Sequence, residues 1–308
     1  MPRFSIVILT YNRRERLRKQ IELIRCLTVP NLEIVVVDNA SDLPVDDIVA
    51  LEKRAYVLRN SKNLGAVGRN SGMRAATGDI VITLDDDVYG ITDHHLELLT
   101  RLFQQENVAA INFKVVEEGT GRIANWCHPC DELKFETKSF ETNALSEGAV
   151  AFRRKALESV GYYPDYFFIS HEGLDLASRF INAEWIVLYS PEILVAHAYE
   201  EEGRASWRRY YYDTRNLLWL VIRNYPIFYG LKKLGIGWSS NFIYSVRDGY
   251  ILYWFKGVSD AIRRCRLVGK ERVPLTHVAT ERFKFIEKNK INFLVKAKRR
   301  LCRRSMRI

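Results

Sequence analysis

Three consecutive carboxylates, Asp85, Asp86 and Asp87, close an apolar run over residues 78–84. The run is short, β-branched and preceded by glycine, which predicts a buried strand. Three like charges at the end of such a strand repel one another and lose solvation, so their ionised forms need compensation. Carboxylate oxygens suit Mg²⁺ or Mn²⁺, which would also face a phosphate group. The triplet alone is equally consistent with a divalent-cation site and with a solvated acidic turn.

Two earlier apolar runs also end in polar residues. Residues 4–9 lead to Thr10, and residues 32–37 lead to Asp38. Between them, apolar side chains recur at helical spacing over residues 17–27, with Arg and Lys on the other face. This alternation predicts a parallel sheet covered by helices, in which ligands bind outside the carboxyl ends of the strands. Thr10, Asp38 and the Asp triplet are therefore expected in one crevice.

A glycine-rich stretch, residues 63–72, is predicted to open the helix before the strand of the triplet. Its spacing matches neither a P-loop nor a dinucleotide-binding turn. The order and spacing of four blocks together nevertheless resemble the inverting family 2 glycosyltransferases of GT-A fold. The blocks are residues 10–13, 36–39, 63–72 and 85–87.

Later segments extend the resemblance over about residues 1–225. Residues 148–154 resemble the strand before the acceptor helix, residues 167–176 the acidic catalytic helix, and residues 193–197 the closing strand with a metal-binding histidine. The resemblance implies an α/β fold, the GT-A nucleotide-diphospho-sugar transferase fold with a mainly parallel central sheet. We predict a catalytic domain over residues 1–203, with a nucleotide-binding half at about 1–90 and an acceptor half at about 91–203.

The resemblance also implies roles for individual residues. Asp38 would accept a hydrogen bond from the base of a uridine or thymidine donor, and Arg13 and Asn63 would contact the nucleotide. The predicted nucleotide-binding residues are Thr10, Arg13, Asp38, Asn63, Asp85 and Asp86. Asp87 and His197 would hold the Mg²⁺ or Mn²⁺ ion that neutralises the diphosphate leaving group. A core histidine bonded to a backbone carbonyl is the alternative for His197.

Inversion needs a general base that deprotonates the acceptor hydroxyl as it attacks the anomeric carbon. Family members commonly carry two successive acids here, with the second as base, whereas this chain reads Glu172-Gly173. Glu172 and Asp175 remain as candidates, three residues apart on a predicted helix. We predict Glu172 as the base. Asp175 could serve instead, or it could pair with Arg179 one turn later.

Charge is unevenly distributed along the chain. Residues 204–308 carry 25 Lys and Arg against 6 Asp and Glu, and many aromatic residues. Their longest uncharged run, residues 234–246, is short of the ~20 residues that span a bilayer. Basic helices with aromatic residues lie in a membrane interface instead. Two stripes have this character, and they consist of Trp207, Tyr211, Thr214, Leu218 and Val221, and of Leu294, Ala297 and Leu301.

We therefore predict that residues 204–308 are a mainly helical, basic extension that attaches peripherally to a membrane surface. A helical subdomain with a solvated basic rim is the plainer alternative. Nucleic acid is not expected as a partner, because no helix-turn-helix, zinc-finger or RNP pattern accompanies the basic residues. No signal peptide is expected, because Met1-Pro2-Arg3 leads directly into the first predicted strand, and Cys127 and Cys130 are interpreted as an incidental pair of reduced thiols. The expected location is the cytoplasmic side of the cell membrane.

The predicted reaction moves a sugar from a nucleotide-diphosphate donor, of UDP or dTDP type, to a hydroxyl group with inversion. The predicted acceptor is a lipid-linked glycan or a cell-envelope polysaccharide intermediate, since the basic extension would hold the enzyme where such acceptors reside. Two other functions stay open. One is a nucleotidyltransferase, which would release pyrophosphate, and the other is a catalytically silent sugar-nucleotide or glycan-binding module, which the glycine at position 173 suggests.

Overall fold

The computed structural model describes residues 2–198 and 207–290. In the described part, nine strands form one sheet. The strands are β1 (Phe4–Thr10), β2 (Leu32–Asp38), β3 (Ala55–Arg59), β4 (Ile80–Asp85), β5 (Val88–Tyr89), β6 (Val108–Glu117), β7 (Phe140–Glu141), β8 (Ala149–Arg153) and β9 (Ile186–His197).

The helices divide into a set that alternates with the strands and a set that follows them. The first set is α1 (Arg14–Ile24), α2 (Asp46–Val49), α3 (Arg69–Ala75), α4 (Asp93–Leu102), α5 (Glu132–Phe135), α6 (Arg154–Val160) and α7 (Glu172–Asn182). The second set is α8 (Trp207–Asn224), α9 (Ile227–Arg247), α10 (Ile251–Gly269) and α11 (His277–Ile286). Short 3₁₀ turns cover Gly65–Gly68 and Glu287–Asn289.

The strand order is β3-β2-β1-β4-β8-β6-β9-β5, with β7 beside β9. The first four strands are parallel, and their register pairs Thr10 with Asp38 and Leu9 with Asp85. The carboxyl ends of β1, β2 and β4 therefore lie at one edge, as the sequence predicts. Strand β8 is antiparallel to both β4 and β6, so the sheet is mixed, within the mainly parallel architecture that was predicted.

The sheet is buried on both faces, which explains why its strands are continuously apolar. Alternate residues of β1 point to opposite sides: Ile6 and Ile8 belong to one core cluster together with Leu17 of α1, and Val7 belongs to the other together with Phe180 of α7. Helices α1, α2 and α4 contribute to the first cluster, and helices α3, α6 and α7 contribute to the second.

The helices that follow residue 206 pack into this second core. The Trp219 side chain of α8 is fully buried there, and its Nε1 donates to the carbonyl oxygen of Ala261 in α10 at 3.1 Å. Helix α8 thus lies between α7 and α10 and is part of the same packed body as the sheet. The predicted domain boundary at residue 203 stays a prediction.

This packing corrects one prediction from the sequence. The stripe that contains Tyr211, Thr214 and Val221 of α8 was predicted to face a membrane, but Thr214 is fully buried and Val221 is 8% exposed. Tyr211 donates to the carboxylate of Asp260 in α10. Thr214 and Val221 are therefore covered by protein, and Trp207, Tyr211 and Leu218 are partly buried. The second predicted stripe, residues 294–301, lies outside the described residues.

Hydropathy of the helices bears on the same question. Among residues 2–198 and 207–290, no helix combines the length and the apolar character needed to cross a bilayer.

Candidate active site

Asp86 joins the ends of β1 and β4. Its carboxylate accepts hydrogen bonds from Thr10 Oγ1 at 2.8 Å and from Arg13 Nη1 at 3.1 Å. The side chain is buried, and burial raises the pKa of Asp86 although the Arg13 charge opposes this effect. Two predicted nucleotide-binding residues, Thr10 and Arg13, thus hold a third in place. The side chain of Asp86 serves to tie the strand ends together in this structure.

Asp87 is the most highly connected carboxylate of the triplet. Its Oδ1 lies 3.2 Å from His197 Nε2, and its Oδ2 accepts from Arg13 Nη1 at 2.9 Å and from Arg16 Nη1 at 2.6 Å. The antiparallel pairing of Val88 with His197 places the histidine beside Asp87. Burial by itself raises the pKa of Asp87, but His197 and the two guanidinium groups lower it below its ordinary value.

Asp85, Asp87 and His197 form a three-residue cluster that fits a divalent cation. One ligand atom from each residue lies within 4.8 Å of the others. Two carboxylate oxygens and one imidazole nitrogen are a donor set that Mn²⁺ and Mg²⁺ accept. The absence of a side chain at Gly148 leaves room for the Asp85 carboxylate, because a Cβ atom on Gly148 would collide with it. The structure thus brings Asp87 and His197 together as predicted, and it adds Asp85, which is predicted from the sequence to bind the nucleotide.

Asp85 also forms an ion pair with an arginine from the glycine-rich stretch. Its Oδ1 accepts from Arg69 Nη2, and Arg69 is the first residue of α3. Because Arg69 is 4% exposed, this ion pair is shielded from solvent on one side. The pair links the glycine-rich stretch to the acidic triplet.

Asp38 and Asn63 line the end of β2. Asp38 Oδ1 accepts from the Ser41 backbone N–H at 2.9 Å, and its Oδ2 accepts from Arg59 Nη1 at 2.7 Å. Asn63 Oδ1 accepts from the Gly65 backbone N–H at 2.8 Å and from the Asn39 amide at 3.0 Å. Asn63 therefore stabilises the glycine-rich turn. The Arg59 guanidinium occupies one oxygen of Asp38, the carboxylate predicted to accept a hydrogen bond from the nucleotide base.

A strained loop precedes helix α7. Phe168, Ser170 and His171 all have positive φ, between 65° and 81°, which is unfavourable for residues other than glycine. Asn216 of α8 holds this loop, since its amide nitrogen lies within 2.7–2.9 Å of the carbonyl oxygens of Phe167, Ile169 and Ser170. The extension after residue 206 therefore helps to set the position of the predicted catalytic helix.

Glu172 begins helix α7 and is 2% exposed. Burial and the neighbouring charge of Glu147 raise the pKa of Glu172 to about 8. Within the described part of the chain, its Oε2 has no hydrogen-bond partner. A neutral, buried carboxyl group at pH 7 follows from this environment. The role of Glu172 as base stays a prediction.

Asp175 lies on the next turn and is fully buried. Its Oδ2 accepts from Arg179 Nε at 2.8 Å, and its Oδ1 accepts from Arg223 Nε and the Asn224 amide, both at 2.7 Å. Burial alone raises the pKa of Asp175, yet Arg179 and Arg223 lower it below its ordinary value. The pairing with Arg179 that the sequence left open is present, and Arg223 and Asn224 attach α8 to the same carboxylate.

Four residues at the site were missed by the sequence reasoning. Arg16 carried a signal, since it follows Arg13 by three residues and shares its helix face. Arg59, Glu147 and Asn216 carried none, because each meets its partners through contacts distant in sequence.

The fold and the strand-end cluster define the class of protein. Residues 5–161 match the family described as "Glycosyl transferase family 2". The chain belongs to this family, and its fold is the α/β GT-A type, with a helical region after the sheet.

Two curated relatives illustrate the similarity. The O-antigen chain rhamnosyltransferase WbaN of Salmonella anatum is 23% identical over 68% of this chain and 71% of its own length. The pre-mycofactocin glycosyltransferase of Mycobacterium tuberculosis is 31% identical over 65% of this chain. The match covers 43% of the length of that relative.

Solved structures share the fold at low identity. TarS 1–349 of S. aureus in complex with UDP-GlcNAc superimposes with a TM-score of 0.62 and 18% identity, over 93% of this chain and 90% of that one. The mannosyltransferase PcManGT of Pyrobaculum calidifontis, in complex with GDP-Man and Mn²⁺, gives a TM-score of 0.57 and 17% identity, over 93% and 88%.

Proposed function

We propose that this family 2 enzyme is an inverting glycosyltransferase that moves a sugar from a nucleoside-diphosphate donor to a hydroxyl of a polysaccharide or lipid-linked glycan. The observation that carries the proposal is the cluster of Asp85, Asp87 and His197 at the carboxyl ends of the parallel strands. That edge of the sheet is where ligands of such folds bind. The names of the relatives support the acceptor class, since one is an O-antigen chain rhamnosyltransferase.

The nucleotide would lie across the ends of β1 and β2. Asp38 is 1% exposed and already accepts two hydrogen bonds, so it is pre-oriented to accept a third from the N3–H of uracil or thymine. Arg59 would swing from Asp38 toward the base or ribose, because its side chain is 44% exposed. We therefore favour a UDP- or dTDP-type donor.

The diphosphate would lie beside the acidic cluster. Asp85, Asp87 and His197 would hold Mg²⁺ or Mn²⁺, which when bound neutralises the diphosphate and stabilises it as a leaving group. Arg13 and Arg16 lie on the same carboxylate, Asp87. Each would add positive charge near the departing phosphate oxygens and reduce the cost of gathering so many negative groups.

The acceptor would approach from α7 and β8. Inversion requires a carboxylate on the face of the sugar opposite the leaving group, where it accepts the proton of the attacking hydroxyl. Glu172 at the start of α7 is the residue predicted for this role. Asp175 is proposed instead as a structural anchor, since it pairs with Arg179 within α7 and is tied to α8 by Arg223 and Asn224.

Turnover assays discriminate this proposal from its alternatives. The purified chain is incubated with UDP-glucose, UDP-GlcNAc, dTDP-rhamnose or GDP-mannose in the presence of Mn²⁺, and the nucleotide product is identified. Release of a nucleoside diphosphate supports glycosyl transfer. Release of pyrophosphate in a parallel reaction of a nucleoside triphosphate with a sugar 1-phosphate would indicate a nucleotidyltransferase, and binding without any turnover would indicate a silent module.

Metal dependence is tested by binding of UDP with Mn²⁺ and with chelator. We expect UDP to bind at least tenfold more tightly with Mn²⁺, and Asp87→Ala to abolish the difference by removing one ligand oxygen and its charge. His197→Ala should weaken the difference less. Asp47→Ala, which removes an exposed acid of α2, is the matched control and should leave it unchanged. Equal UDP affinity with metal and with chelator would exclude the metal site.

A membrane-facing surface is proposed on α9, which replaces the buried stripe of α8. Phe228, Leu231, Ile243 and Val246 of α9 are 89%, 58%, 60% and 55% exposed. Exposed cations lie on the same helix and on α10, and they are Lys232, Arg247, Lys256, Arg263, Arg264 and Arg266. Apolar side chains flanked by cations match an anionic lipid surface, with the cations near the headgroups and the rings in the interface. This surface would hold the enzyme beside lipid-linked acceptors, on the cytoplasmic face of the membrane.

Liposome sedimentation tests the surface. The intact chain should bind vesicles of phosphatidylglycerol more than those of phosphatidylcholine, and less at high salt. Phe228→Ser with Ile243→Ser should weaken binding more than Val278→Ser, which alters an exposed valine on α11. If the double variant binds as well as the control variant, the α9 surface is not the attachment site.

A further inference from the structure

Gly173 stands where family members commonly carry an acid. The carboxylate of Glu147 lies in the space that the side chain of such an acid would occupy. A Cβ atom on Gly173 would collide with Glu147 Oε1, and the Gly173 backbone N–H donates to that oxygen at 3.0 Å. The Glu147 carboxylate therefore occupies the space that a side chain at position 173 would fill. Glu147 lies outside α7, in the turn that enters β8.

Glu147 is anchored on the other side to the strand of the acidic triplet. Its carbonyl oxygen accepts from Thr83 Oγ1 at 2.6 Å, and the next carbonyl, that of Gly148, accepts from the Asp85 backbone N–H at 3.1 Å. The same Gly148 lies against the Asp85 carboxylate. These contacts fix Glu147 between the metal cluster and the start of α7, where the donor sugar and the acceptor would meet.

The two neighbouring glutamates differ in exposure as whole residues, although burial desolvates both carboxyl groups. Glu172 is 2% exposed, whereas Glu147 is partly exposed. Burial raises the pKa of Glu147 above its ordinary value, against the opposing effects of Arg69 and of the Gly173 N–H. A carboxylate with a raised pKa is a better proton acceptor, provided that the acceptor hydroxyl can reach it.

We propose that Glu147 is the general base of the transfer reaction, in place of the acid that Gly173 lacks. This inference rests on the proposed glycosyl transfer. The acceptor O–H proton passes to the Glu147 carboxylate, while the hydroxyl oxygen forms a bond to the anomeric carbon. The bond from that carbon to the diphosphate oxygen breaks, and its electron pair leaves with the nucleoside diphosphate. Glu172, whose carboxyl group is buried, then takes no part in the proton transfer.

The first test removes basicity and preserves shape. Glu147→Gln retains the acceptor oxygen for the Gly173 N–H, so the fold should be undisturbed. Nucleoside diphosphate release from the donor selected by the panel, with water as the acceptor, should fall by about 10²–10⁴-fold. Binding of UDP with Mn²⁺ should change less than twofold. Near-normal turnover in Glu147→Gln would overturn the assignment.

The second test moves the carboxylate back to the helix. Glu147→Ala removes the side chain closest to position 173 and leaves only the Leu145 carbonyl oxygen, 2.9 Å from an added Cβ, to shift slightly. Adding Gly173→Asp should therefore raise turnover at least tenfold above that of Glu147→Ala. Glu147→Ala with Gly173→Asn is the matched control, because it has the same packing and no base, and it should remain inactive. Equal rescue by Asp and Asn would show that Glu147 only fills space.

Failure of the inference is distinguishable from failure of the proposed function. If the unaltered chain turns over no donor in the panel, glycosyl transfer itself is refuted and the base assignment falls with it. If the unaltered chain is active and Glu147→Gln is equally active, only the base assignment is refuted.

Discussion

Asp175→Asn should destabilise the protein strongly while leaving the catalytic groups intact. The substitution keeps the size of the side chain and removes the charge that balances Arg179 and Arg223. Because Asp175 is fully buried, water cannot replace the lost carboxylate. The connection between α7 and α8 is therefore weakened where it is most deeply buried.

The expected decrease in the free energy of unfolding depends on which hydrogen bonds Arg179 and Arg223 retain in the variant. Removing one partner of a buried ion pair costs about 3–5 kcal/mol. Arg179 still donates to the carbonyl oxygens of residues 160, 161 and 162, and Arg223 still pairs with Glu271 and donates to Tyr166. These remaining contacts compensate part of the uncovered charge, so we expect about 3 kcal/mol, the lower end of the range.

Urea unfolding measures the effect directly. With a slope of about 3 kcal/mol per molar, a loss of about 3 kcal/mol lowers the urea midpoint by about 1 M. Asp47→Asn, an exposed acid whose side chain is 60% accessible, is the control and should change the free energy of unfolding by less than about 0.5 kcal/mol. Sugar transfer by Asp175→Asn, measured well below its melting temperature, should stay within tenfold of the unaltered chain.

The opposite pattern would refute this reasoning. If Asp175→Asn unfolds at the same urea concentration as the unaltered chain and loses transfer completely, Asp175 acts in catalysis and its ion pairs contribute little to stability.

Three further changes test the site. Gly148→Ala should abolish the Mn²⁺ dependence of UDP binding, because its Cβ collides with the Asp85 carboxylate. Gly235→Ala, where a Cβ has open space, is the control and should have no effect. A normal Mn²⁺ dependence in Gly148→Ala would show that Gly148 is not needed to position Asp85. The raised pKa of Glu172, about 8, means that its contribution to stability is complete below the unfolded pKa near 4.5 and is lost as the pH rises through 8, by up to about 5 kcal/mol. Glu172→Gln should flatten that part of the pH dependence in urea unfolding, and an unchanged slope between pH 5 and 8 would disprove the buried neutral state. Asn216→Ala should lower the free energy of unfolding by about 2 kcal/mol and slow transfer, since the carbonyl oxygens of Ile169 and Ser170 lose their donor while that of Phe167 keeps Arg215. Unchanged stability and rate would show that the loop holds its shape without Asn216.

The sequence alone determined the parallel half of the sheet and the residues at its edge. Continuous apolar runs joined by helices align the ends of consecutive parallel strands, so Thr10, Asp38 and Asp86 had to meet. The family resemblance placed His197 near Asp87, and the pairing of β5 with β9 confirms this proximity. Mixed strand directions around β8 were not predictable from local pattern, because β8 reads as a buried strand in either direction.

Only the tertiary structure shows that Glu147 fills the space beside Gly173 and that protein covers the apolar face of α8. Helical periodicity indicated that one face of α8 is buried, but it cannot distinguish burial against α7 and α10 from burial in lipid. The contact of Glu147 with Gly173 spans 26 residues, and that of Arg223 with Asp175 spans 48. Side-chain contacts at such separations depend on how whole elements pack, and no local spacing in the chain encodes them.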